Sequence, residues 1–313
     1  MRKIKPLVAI FMLVLLVWLV DLRELLAALS KLTITSVVLL LGISVVLILV
    51  SAVKWRCFLE SGQQEVSLVR LFKLYLVGYF VNLMLPSYFG GDVVRSWYAG
   101  KQHGQHAAAT ATILERYTGL VAMLTLAFIF VWLVDSATPQ VEVAVVLCAV
   151  GLVVGTFMVL AADRLPVIGI LGRHKALSGH FDKIRRCLLV AGRNRSLIAK
   201  ALMLSFLYHS LTVLNTVVAA DAVGWHNPPV WDLFVVLPLI LLIGSLPISP
   251  SGLGIQEGAF FFFLTGVGAT PAQALGVGVV LRAKGYVLAL LGGVVWLGLK
   301  NEERMNSSES GKA

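Results

Sequence analysis

Apolar residues run along this chain in long blocks, not in alternating or one-faced patterns. The stretches 32–53, 107–134, 139–162, 201–220 and 272–299 each approach or exceed the ~20 residues that cross a hydrocarbon core. A shorter run, 7–20, follows Arg2, Lys3 and Lys5. It begins like a signal peptide but lacks a small-x-small cleavage site, so an uncleaved first helix over 5–27 is expected. Two further apolar segments are interrupted. Residues 82–92 read Asn-Leu-Met-Leu-Pro-Ser-Tyr-Phe-Gly-Gly-Asp, and residues 247–257 read Pro-Ile-Ser-Pro-Ser-Gly-Leu-Gly-Ile-Gln-Glu. Backbone broken at membrane depth must find hydrogen bonds in protein or in a wet cavity. Paired breaks in the two halves of a chain point to a transport site.

Composition sharpens the class. Of 313 residues, 58% are apolar and 13% charged, where soluble domains hold about a quarter charged; mean hydropathy is +0.90. A net charge of +10 would suggest nucleic acid in a soluble protein. Here nine Lys or Arg fall within 163–200, while the links 135–142 and 221–232 hold none. That distribution marks a cytoplasmic loop and outward-facing links, and no nucleic-acid partner is expected.

Parity then fixes most of the topology. With the N-terminus inside, residues 71–106 begin and end in the cytoplasm, as a hairpin turning at 86–91 does. Segment 233–268 reads either as a hairpin from the outer side or as two short spans. The hairpin is preferred because each flank is only about 15 residues, short for a crossing. The expected fold is all-α and polytopic: about six full spans plus two broken or re-entrant hairpins. One membrane domain covers 1–300, with inverted halves of 1–138 and 139–300, and 301–313 form a short polar tail. Both termini are expected in the cytoplasm. Gly151-x-x-x-Gly155 permits close helix contact and so a homodimer.

Charges inside the spans carry the candidate chemistry. A charge at the bilayer centre costs about 2.5–3.5 kcal/mol on insertion scales, so it faces a partner or a wet path. Glu115 and Arg116 lie in one long helix, Arg282 and Lys284 in another. Asp92 precedes Arg116 by 24 residues and Glu257 precedes Arg282 by 25, which repeats one arrangement in both halves. Asp92 follows Gly90-Gly91 and precedes Arg95. Asp92 can cap the returning arm, while free amides there and the guanidiniums of Arg95 and Arg116 can hold an anion. The breaks themselves rest on Asn82, Pro86, Gly90 and Gly91, and on Pro247, Pro250, Gly252 and Gly254. Asn82 is expected to bond backbone freed by Pro86. His209 reads as a satisfied buried histidine.

No Walker loop, nucleophile elbow or His-Glu-x-x-His pair is present. Cys57, Cys148 and Cys187 are too scattered for a disulfide framework or a metal site. Neither catalytic residues nor cofactor nor metal is expected.

The string from Tyr79 through Arg95 resembles the first signature of the flippase-like family, also called the lysylphosphatidylglycerol synthase transmembrane-region family. Ala111-Thr112-Ile113-Leu114-Glu115-Arg116 is similar to its Glu-Arg helix, and 247–257 to its second signature. The resemblance implies a multi-pass protein of the bacterial inner membrane that moves lipids between leaflets. Phospholipid, aminoacyl-phospholipid and glycolipid headgroups are all candidates, and anionic or glycosylated membrane lipids are the expected partners. In the multiple peptide resistance factor, lysyl transfer belongs to a separate soluble domain, which this chain is expected to lack. Asp92, Arg95, Glu115, Arg116, Glu257, Arg282 and Lys284 are the substrate-binding candidates. Two rival readings stand beside transport of lipid. One is a membrane-embedded lipid-modifying transferase, or the accessory subunit of a cytoplasmic one. The other is a secondary transporter of ions or small solutes.

Overall fold

A computed structural model describes residues 22–60, 66–84, 90–134, 138–160, 187–189 and 194–310, with side chains as far as 299. Every element among the described residues is helical. The first half comprises α1 (Leu22–Leu29), α2 (Ile34–Leu59), a hairpin of α3 (Leu68–Met84) and α4 (Gly90–His103), and α5 (Gln105–Phe130). The second comprises α6 (Pro139–Leu160), α7 (Arg195–Ala222), a hairpin of α8 (Val230–Ser245) and α9 (Ile255–Gly266), and α10 (Pro271–Ser310). Five of these are long and apolar enough to cross a membrane: α2, α5, α6, α7 and the part of α10 over Pro271–Leu299. Most of the first expected helix, Pro86 at the first turn and most of the basic loop lie outside the described residues. Residues 301–310 of the expected polar tail continue α10 as helix.

Local chemistry sets the helix starts. Thr33 caps α2, its hydroxyl accepting from the Ser36 amide at 3.1 Å. Asn194 caps α7, its Oδ1 accepting from the Leu197 amide at 3.0 Å. At α10 the side chains and amides of Thr270 and Gln273 satisfy one another. Each cap binds amides that no helical carbonyl can reach.

The two halves pack by exchange. α1 lies on α10 as α6 lies on α5; α3 lies on α10 as α8 lies on α5; α4 and α9 each fill the space between their hairpin partner and the last helix of their half. Across the centre, α2 packs on α7. Lys54, late in α2, donates to Ser205, early in α7, at 3.1 Å. Asn215, late in α7, donates to Ser44, early in α2, at 3.3 Å. Equivalent helices therefore run antiparallel, and the axis relating the halves lies across the helices. That is the inverted repeat expected from the paired breaks.

Both hairpins turn back near the middle of the bundle. Arg116 stands eleven residues into α5, counted from Gln105, and Arg282 eleven into α10, counted from Pro271. Eleven residues rise about 16 Å, close to half of a ~30 Å hydrocarbon core. Each arginine meets the returning arm of its own half's hairpin, and the two hairpins meet each other: Ser251 Oγ donates to the Asn82 carbonyl at 2.8 Å. α9, at 12 residues, extends only about 18 Å. Neither α8 nor α9 is among the five helices long enough to cross a membrane, which favours a hairpin over two spans.

Close packing stands in for the hydrophobic effect, which does little between helices in lipid. Gly91 lies against the Gly78 carbonyl and Gly292 against the Leu76 carbonyl, so that a Cβ at either position would overlap backbone. Phe130 stacks on Phe234 at 4.6 Å between centroids, while Trp296 meets Phe80 at 5.8 Å. Gly151 and Gly155 on α6 have nothing within 4 Å. We expect Gly292→Ala to lower stability by about 1–3 kcal/mol, as overpacking does, and Gly151→Ala to leave it unchanged. Thermal unfolding of the purified variants in detergent measures both.

Candidate functional site

Each half builds one ion pair between the returning hairpin arm and its last helix. In the first half, Arg116 grips Asp92 in forked fashion, Nε to Oδ2 at 2.7 Å and Nη2 to Oδ1 at 2.9 Å. In the second, Arg282 Nε donates to Glu257 Oε1. Its Nη1 and Nη2 also donate to the carbonyls of Ser251 and Gly252 and to Gln256 Oε1, at 3.2 to 3.3 Å. The guanidinium thus satisfies backbone that the break leaves in a single 3-10 turn, Pro250–Gly252, between α8 and α9. Glu257 Oε2 in turn accepts from the Gly254 amide at 2.8 Å and so caps α9. Gly252 and Gly254 have φ of 67° and 79°, the left-handed region where glycine carries no steric penalty.

The first turn solves the same problem with different groups. Asn82 Oδ1 accepts from the Gly91 amide at 2.6 Å. Asn82 thereby caps the returning arm, and Asp92 is left for cations. Arg95 donates from Nε to Asp92 at 3.0 Å and from Nη2 to Glu115 at 2.6 Å. The Tyr75 hydroxyl donates to Glu115 Oε1 at 2.6 Å. Arg95 lies under the rings of Tyr75 and Trp55, at 4.2 and 4.6 Å to their centroids. Asp92, Arg95 and Glu115 are 8%, 1% and 6% exposed, whereas the Arg116 side chain is 49% exposed. Asp92, Arg95 and Glu115 thus form a packed, buried network with Arg116 at its exposed edge.

Between the hairpins lies a cavity of about 250 Å³ to which both halves contribute. Asn82 and Tyr79 reach it from α3, Ser44 from α2, and Thr212, Asn215 and Thr216 from α7. Ser251 and Gln256 line it at the second turn, and Arg282 and Lys284 from α10. Of the sequence candidates, Asn82, Arg282 and Lys284 are on its wall, with Glu257 holding Arg282 from behind. Asp92, Arg95, Glu115 and Arg116 are drawn together elsewhere, in the first-half cluster.

Ser44 and Asn215 are cavity residues that sequence reasoning passed over, and so is the Lys54 contact with Ser205 across the same helix pair. Their signal is a repeat in spacing: Ser205 follows Ser44 by 161 positions, and Asn215 follows Lys54 by the same 161. Ser44 and Ser205 also each donate to the carbonyl four residues back. His209 bonds the Gly119 carbonyl at 3.1 Å, a satisfied buried histidine. No group of three or more metal-ligating side chains occurs among the described residues.

Comparison with known proteins agrees with this architecture. The family model described as the lysylphosphatidylglycerol synthase TM region matches residues 4–293. The chain belongs to that family. A UPF0104 membrane protein of Pyrococcus horikoshii is 25% identical over 290 residues, 83% of this chain and 85% of the relative. One from Methanothermobacter thermautotrophicus is 23% identical over 280 residues, 80% and 79% of the two chains. No solved structure matches significantly. Membership and fold together make this a multi-pass membrane protein.

The buried first-half cluster differs in energy from surface charge. Removing one partner of a buried pair costs about 3–5 kcal/mol, and an exposed pair contributes under about 1 kcal/mol. We therefore expect Glu115→Ala to destabilise the protein severely. Arg56→Ala, which breaks the half-exposed i,i+4 pair with Glu60, should be nearly silent. Guanidinium-free thermal melts of both variants decide the contrast.

Proposed function

We propose that this protein is a lipid transporter, flippase-like in action, which passes a headgroup between leaflets through the cavity while the acyl chains stay in the bilayer. One observation carries the reading. The cavity lies where two re-entrant hairpins from opposite halves meet, and intramembrane cations line it. Inverted-repeat transporters bind their substrates at such a meeting of broken helices near the midplane. Intramembrane charge that faces a cavity marks a substrate path.

The protein is read as a transporter and not as an enzyme. No histidine, cysteine or carboxylate is among the described residues of the cavity wall, so imidazole, carboxylate or thiol chemistry has little support there. The setting is the plasma membrane, the inner membrane in a bacterium, with both termini cytoplasmic; the basic loop supports that orientation. Glu257 acts by fixing Arg282. Its loss would free the second turn as well as the guanidinium.

Leaflet exchange in proteoliposomes tests this. We expect the wild type to accelerate exchange of fluorescent phosphatidylglycerol or of a lipid-linked sugar. Arg282→Ala and Glu257→Gln should slow it roughly ten- to a hundredfold, the range for losing a hydrogen bond to a charged group. Arg185→Ala, in the basic loop, should leave the rate as it is. Equal losses in all three variants would attribute the effect to surface charge and sink the cavity assignment. Absence of exchange for every lipid would favour the accessory-subunit reading.

A further inference from the structure

We propose that the cavity selects a headgroup that is both anionic and hydroxylated, a phosphodiester of a polyol or sugar, and disfavours net-cationic aminoacylated headgroups. This rests on the reading that the cavity is the headgroup's path. It narrows the three headgroup classes left open by the family to one.

The first argument is charge. Arg282 and Lys284 are the charged groups among the described lining residues. Arg282 is neutralised from behind by Glu257. Lys284 makes no hydrogen bond or ion pair with any described residue, although it stands within a membrane-spanning helix. A cation held at depth in a span without a counter-charge is costly even when only half-buried, and an entering phosphate would supply one. Two positions apart on α10, the two side chains leave the helix in different directions. They flank a ligand instead of crowding one another. A lysyl headgroup would bring further positive charge to a wall whose described residues include no carboxylate.

The second argument is the polarity of the opposite wall. Thr212 donates its hydroxyl proton to the Tyr208 carbonyl at 2.9 Å, and Thr216 its own to the Thr212 carbonyl at 3.0 Å. Ser44 donates to the Leu40 carbonyl at 2.6 Å. With their protons engaged, Thr212 and Thr216 present lone pairs to the cavity, while Ser44 accepts from the Asn215 amide. Asn215 adds to them: it is 2% exposed, and its Oδ1 has no partner among the described residues. A buried amide oxygen left unpaired costs about 1–3 kcal/mol. A polyol hydroxyl donating to it would remove that cost. The cavity thus offers cations on α10 for a phosphate, and uncharged acceptors on α2 and α7 for hydroxyl donors.

Native mass spectrometry of the full-length protein in neutral detergent measures the selection directly. Phosphatidylglycerol, lysyl-phosphatidylglycerol and a neutral glycosyl-diacylglycerol would compete at equal concentration. Phosphatidylglycerol should be retained at least about tenfold over the other two, the scale of one charge-assisted hydrogen bond. Lys284→Gln should erase most of that preference, and Asn215→Asp should shift retention toward the lysyl lipid. Equal or better retention of the lysyl lipid by the wild type overturns the proposal, whichever variants fold. Soluble glycerophosphoglycerol and inorganic phosphate separate a headgroup site from a bare anion site. Displacement of the lipid by glycerophosphoglycerol at a lower concentration than phosphate supports the hydroxyl contact; equal potency refutes it. Failure of selection and failure of transport are distinguishable. Selective retention without leaflet exchange would reject the transport reading alone, and exchange at equal rates for all three lipids would reject the selection alone.

Discussion

Everything in this fold depends on one constraint: a chain that breaks its helices at mid-membrane must bring its own hydrogen-bond partners to the break. Lipid supplies none. The first half meets the requirement with Asn82 and sets Asp92 against Arg116 beside it; the second uses Glu257 with Arg282, each arginine standing eleven residues into the last helix of its half. These pairs do more than cancel charge. Through Glu257 and Arg282 the second turn gains four hydrogen bonds to backbone or amide groups that would otherwise face an apolar interior. The charged residues that seem costly in a span are what make the turn affordable.

Equivalent positions have then diverged. An offset of 161 places Lys54 opposite Asn215 and Ser44 opposite Ser205, so the two central bonds of α2 with α7 are images of one another. The hairpin arms and last helices correspond at slightly larger offsets, which set Arg95 beside Phe260 and Glu115 beside Leu281. In the first half those positions hold a buried ion pair, packed under Tyr75 and Trp55. In the second, Phe260 and Leu281 form part of the cavity wall. One copy of the site is filled by its own side chains, and the other is open.

The sequence made the architecture readable because its strongest signals are local. Pro, Gly and a carboxylate in one short string announce a broken helix whatever surrounds it, and the 24- and 25-residue spacings tie each acid to its arginine. Asn82 as the group that satisfies the first break was likewise visible, since an amide just before Pro86 has few other uses. The division of the candidates between two places was not. Whether Arg95 faces a ligand or a carboxylate depends on the rotation of α4 against α5, which the spacing of single charges along each helix does not encode. Lys54 and Asn215 escaped for a similar reason. Each is a single polar residue in a long span, and it gains meaning only once α2 and α7 are known to run antiparallel.

The packing by exchange carries one more consequence. α3 is wedged against α10 at Gly292, and α8 stacks on α5 at Phe130, so each hairpin is clasped by the last helix of the other half. The units written consecutively in the chain are therefore not the units that are packed together. Severed at the link between α5 and α6, each fragment would keep its own acid–arginine pair but lose the surface its hairpin rests on. Neither would be a small stable protein. Co-expressed, the two would be obligate complements, and the covalent connection between them would matter for order of assembly more than for the finished bundle.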